Sequence, residues 1–142
     1  MGGTFGEPTF SARQREIPEG ERGIGEEVMD PKEQLVQVTN LLTPLVEGTD
    51  ANQLDNETPC SDFRVRDLIG HFTFGRFLFA AGMSGDKARG DELLGSMPQQ
   101  FGDVLGDDHH GTYQDASAQL ETAVSSVGDL GETVSLVFGD MP

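Results

Sequence analysis

The stretch "VRDLIGHFTFGRFLFAAGM", Val65 to Met83, carries the pattern that decides the fold. Val65, Leu68, Ile69, Phe72 and Phe79 recur at helical spacing on one face, with Gly75 at its edge. Asp67, His71, Gly75 and Leu78 form a neighbouring stripe at steps of three and four. Phe74 and Phe77 fall off the main face, so the predicted helix is apolar over more than half its circumference. Such a helix belongs at the centre of a bundle, or is covered on a second side by a partner chain.

Two further helical patterns flank it. The first opens with Asp30 as N-cap and Pro31 at the first helical position, which helix starts favour. Leu35, Val38, Leu42 and Leu45, with Leu41 alongside, give it an apolar face. Pro44 removes a backbone donor and crowds the Asn40 carbonyl, so the last turn is expected to kink before Gly48 ends it. The connector "TDANQLDNETPCSD" is dense in turn formers, with one short turn around Ala51 to Leu54. "GDKARGDELLGSMPQQFGDVLGDD" reads as loop with a short helix at Pro98 to Leu105. A third long helix follows, capped by Asp107 or Asp108, lined by Tyr113, Ala116, Leu120, Val124 and Val127, and stopped by Gly128. Thr133 to Phe138 reads as a short extended segment.

The expected fold is all-α: a bundle with three long helices present and a groove where a fourth would pack. Residues 1–28 are rich in Gly, Glu, Pro and Arg and follow no period, so a disordered extension or a start assigned too early is expected there, with a docking arm as the alternative. Residues 29–142 are expected to form one bundle domain.

The charge balance narrows the partners. Lys+Arg 9 against Asp+Glu 25 gives a net charge of −16 in 142 residues. That field repels phosphate backbones and anionic membrane surfaces, so neither nucleic acid nor membrane is an expected partner. A single cysteine excludes an internal disulfide framework and a Cys-rich zinc knuckle. No apolar run nears a membrane span of about 20 residues, and no signal-peptide layout opens the chain. The expected setting is cytoplasmic.

His71 is the first candidate for chemistry. A neutral imidazole on the flank of a bundle helix suits zinc or nickel, and Asp67, one turn back, suits a partner for its other ring nitrogen. The competing reading is a half-buried structural histidine bonded to that same Asp67. His109 and His110 are adjacent, so they project about 100° apart on a helix and chelate one ion poorly. They read as an exposed helix start. Cys60 reads as a small packed residue, because no histidine lies near it to act as a base. Neither "GxGxxG" nor "GxxxxGK[ST]" occurs, so no phosphate-cradling loop is expected. Arg64, Arg66, Arg76, Lys87 and Arg89 put five of nine basic residues around the central helix. They read either as a positive patch for a carboxylate-bearing substrate or as an ordinary solvated face.

These residues also resemble a known family. "LDNETPCSDFRVRDLIGHFTFGRFLFAAGMSG", then "LGDDHHGTYQDASAQLETAV", then "TVSLVFGDMP" resemble the N-terminal metal-binding domain of the mycothiol-dependent maleylpyruvate isomerases, in the DinB-like four-helix-bundle superfamily. The resemblance runs from about Met29 to Pro142. It implies a divalent metal, typically zinc, that activates a small thiol such as mycothiol for isomerisation or S-transfer on a carboxylate substrate. His71 falls on the first ligand position; Asp67 is the candidate supporting residue, and no residue is assigned a catalytic role. Phe63 replaces the family's Trp, and Arg64 stands where a Thr would cap the second helix, so Ser61 or Asp62 is expected to cap it. In the family, "FG-MP" leads into a fourth helix bearing the remaining ligands. The sequence here ends at Pro142, so the expectation is the front part of such a bundle with an incomplete ligand set. The alternative is a non-catalytic bundle that pairs with a second copy through the open groove, as a homodimer.

Overall fold

The computed structural model describes residues 30–128, together with the backbone of 134–136 and 139–141. The expectation for residues 1–28 lies outside the described residues. Four α-helices follow in order: α1 Pro31–Glu47, α2 Val65–Met83, α3 Lys87–Gly95 and α4 His109–Ser126. Two 3-10 turns, Ala51–Gln53 and Phe101–Leu105, sit in the connectors. Strands β1 Val134–Leu136 and β2 Gly139–Met141 form a small antiparallel hairpin, where one extended segment was expected. The architecture is all-helical apart from that hairpin, and the three long helices are α1, α2 and α4.

The start of α1 follows its sequence: the Asp30 side chain accepts the Lys32 N–H and Pro31 fills the first position. The helix is not interrupted at Pro44, and Gly48 ends it as expected. The helix runs one turn further, and the Gly48 N–H closes it on the Pro44 carbonyl at 2.9 Å. So near the end, proline costs a single ladder bond, and the one turn that follows it still closes.

α2 is the central element, packed against α3, α4 and the Phe101–Leu105 turn, with β1 alongside. Ile69, Phe74, Leu78, Ala80 and Ala81 are its buried apolar residues. Its N-terminus corrects the capping expectation. The N-cap is Arg64, and neither Ser61 nor Asp62 serves. Instead Asp67 reaches back, its Oδ2 accepting the Arg64 N–H at 3.0 Å, while its Oδ1 accepts the Gly102 N–H at 3.0 Å. One carboxylate thus closes the helix and fastens the Phe101–Leu105 turn to it. The fastening demands glycine at position 70, because a Cβ there would lie 2.0 Å from the Phe101 carbonyl oxygen.

α3 is a second correction, since Lys87–Gly95 lies in the segment read as loop. Asp86 caps it through the Arg89 N–H, and Lys87–Asp91 and Arg89–Glu92 pairs line its outer face. Only Leu93 is buried apolar surface, too little to register as a period. In α4, Asp108 caps through the Gly111 N–H at 2.9 Å, and Tyr113, Ala116, Leu120 and Val124 are buried as their spacing predicts. The helix ends at Ser126, two residues before Gly128.

The face of α1 is where prediction and structure part most. Only Thr39 and Val46 are buried there, whereas Leu41 is 73% exposed, Leu45 68% and Val38 55%. Among the described residues, no helix is long and apolar enough to cross a membrane.

Candidate functional site

A groove of about 590 Å³ opens along α2, walled by Leu35, Val38 and Leu42 of α1 and by Met97 and Phe101 beyond α3. Phe72, Phe74, Gly75, Leu78 and Phe79 supply its α2 side, and a Cβ at Gly75 would meet nothing within 4 Å. This volume lies within the range of small-ligand sites, roughly 300–1,000 Å³. Among the described residues two polar side chains line it, His71 and Arg76, both carried by α2.

His71 is exposed. The Phe101 ring stands edge-on to its imidazole at a centroid distance of 4.7 Å, and Phe63 lies at 5.9 Å. The Asp67–Gly102 bond therefore holds in place the turn that carries this aromatic wall. Asp67 itself lies elsewhere than expected: both its oxygens accept backbone N–H groups, and no hydrogen bond joins it to His71 among the described residues. Nor is any group of three or more His, Cys, Asp or Glu side chains placed to share a metal ion there. Zinc usually takes three protein ligands. At the groove the described residues offer one imidazole, His71, which does not by itself fit a metal centre.

The five basic residues around α2 do not form a patch. Arg64 pairs with Glu57 at 3.5 Å and Arg66 with Asp55 at 2.7 Å, both on the surface. Lys87 and Arg89 pair along α3. Arg76 alone differs. It is 7% exposed, its Nη1 donates to Thr39 Oγ1 at 3.3 Å, and its guanidinium lies 5.3 Å from the centroid of the buried Tyr113 ring. Tyr113 in turn shares a hydrogen bond of 3.1 Å with Thr43 Oγ1, so α1, α2 and α4 meet at this point. Counting charges along the sequence could not separate Arg76 from its neighbours, because its isolation depends on burial.

His109 and His110 are not an exposed pair. Their Nε2 atoms reach the same Thr49 carbonyl, at 2.6 and 3.0 Å, and His109 is buried. A carbonyl only accepts, so both rings donate from Nε2. The two side chains bind the start of α4 to the chain just past α1. Cys60, read as packed, is exposed in the connector, where its own N–H donates to Thr58 Oγ1. It lies outside the groove lining.

A family model described as the mycothiol maleylpyruvate isomerase N-terminal domain matches residues 35–129. The match holds α2, α3 and α4 entire, most of α1, and every groove-lining residue. No curated protein matches the chain, and no solved structure does.

Proposed function

Since the chain belongs to the family of the mycothiol maleylpyruvate isomerase N-terminal domain, we propose that its groove is a ligand site with His71 as one divalent-metal ligand position, zinc being the first candidate. The observation that carries this reading is the exposed imidazole at the groove, walled by Phe63 and Phe101, with no hydrogen bond to its ring among the described residues. A neutral imidazole so presented is a competent zinc or nickel donor. Mycothiol or a similar small thiol, with a carboxylate substrate, is the ligand class that this reading assigns to the groove. A cytoplasmic setting belongs to the same reading. The enzymatic step itself does not follow from the described residues, because one imidazole is less than a metal site.

Titrating zinc into metal-stripped protein tests this. Binding is expected to be weak, to vanish in His71→Ala, and to persist in the His109→Ala/His110→Ala double variant. Zinc binding that survives His71→Ala would overturn it.

A second reading, a non-catalytic bundle that pairs with another copy through the groove, draws on the outward stripe Val38, Leu41 and Leu45 beside it.

A further inference from the structure

We propose that Arg76 is the anion-binding point of the groove, and that the groove takes a small amphiphilic carboxylate, its head on the guanidinium and its apolar body along Leu42 and Phe72. This deepens the reading of the groove as a ligand site and does not depend on metal at His71.

The first ground is an imbalance of charge. Arg76 is 7% exposed, and a guanidinium stays ionised in proteins. Buried charges are paired as a rule, because desolvation is otherwise uncompensated. The chain has 25 acidic residues, and each of the other four basic residues around α2 has found one. No carboxylate pairs with Arg76 among the described residues. Its partners there are a neutral hydroxyl, Thr39 Oγ1, and the face of Tyr113. The ring attracts the cation but does not neutralise it. Nη1 makes the one hydrogen bond, so Nε and Nη2 have no partner among the described residues. That open edge matches a carboxylate in a two-point arrangement.

The second ground is the groove's shape and lining. Its volume of about 590 Å³ suits a small ligand, and among the described residues its walls are apolar except at His71 and Arg76. One cation within an apolar channel fits a ligand with one anionic head and a hydrocarbon body.

The test uses the full chain in chelator, so that its outcome is independent of the metal reading. Octanoate and octan-1-ol are titrated separately and followed by amide chemical shifts. Octanoate is expected to bind at least tenfold more tightly than the alcohol, with shifts concentrated along α1 and α2. Arg76→Met, of similar length and uncharged, should lose that preference, while Arg76→Lys should retain part of it. Equal affinity for acid and alcohol overturns the proposal, as does unchanged octanoate binding in Arg76→Met. A dimer seen by sedimentation that octanoate cannot open also overturns it. Should Arg76→Met fail to fold, the acid-to-alcohol ratio in the wild type and in Arg76→Lys decides.

Discussion

Asp67 shows how much of a site can hang on one side chain. Its carboxylate sits in the first turn of α2, where the helix dipole favours negative charge, and accepts backbone N–H bonds from Arg64 and Gly102. Hydrogen bonds to an ionised group contribute about 1.5–3 kcal/mol each. Asp67→Ala is therefore expected to destabilise the fold by about 2–3 kcal/mol in urea unfolding, allowing for relaxation around the lost bonds. A loss below about 0.5 kcal/mol would show that the Phe101–Leu105 turn is held by packing instead. The local half of this role was legible, because an acid three residues after the N-cap is a known helix-start device. The other half was not, since Gly102 lies 35 residues away and nothing local marks it as a donor. Asp67 stands four residues before His71 and three after Arg64, and the backbone won both of its oxygens. An exposed imidazole can take its hydrogen bonds from water, whereas the helix N–H has fewer alternatives.

At the scale of the element, periodicity found α1, α2 and α4 and missed α3. The first three carry apolar residues at helical spacing, while α3 buries one large apolar side chain, Leu93, against Phe74, Leu78 and Ala81, too little to register as a period. Periodicity also identified an apolar stripe on α1, of which Leu35 and Leu42 pack against the core while Val38, Leu41 and Leu45 are exposed. A repeat of three and four says which residues share a face, not which way that face turns. The adjacent pair Leu45 and Val46 exposes the difference. Leu45 is 68% exposed, while Val46 is 2% exposed and packs with Ile69, Leu105 and Tyr113. Leu45→Ala is expected to change stability by no more than about 0.5 kcal/mol. Val46→Ala should cost about 2 kcal/mol, two methyl groups at roughly 0.8 kcal/mol each plus a residual cavity. Equal losses at the two positions would mean that the α1 stripe is covered in solution.

The whole molecule is governed by its charge, which was legible from composition, though its distribution was not. Sixteen uncompensated negative charges crowd together when the chain folds, and the repulsion opposes compaction. Salt acts on this in two directions. It screens the repulsion, the Debye length falling from about 30 Å at 0.01 M to about 3 Å at 1 M. It also weakens the four exposed ion pairs among the described residues, Arg64–Glu57, Arg66–Asp55, Lys87–Asp91 and Arg89–Glu92. Exposed pairs contribute only about 0–1 kcal/mol each, and those along a single helix about 0.3–0.5 kcal/mol. The repulsion acts over every pair among the excess acids, so its relief is the larger effect. The melting temperature is therefore expected to rise as sodium chloride increases from 0.01 M to 1 M, and chloride is chosen because sulfate would add stabilisation by surface exclusion. A falling melting temperature would mean that the surface pairs outweigh the net charge. Arg76 gives the experiment a second reading: its hydroxyl and ring partners are neutral, so Arg76→Met should leave the slope with salt nearly unchanged even if it shifts the midpoint.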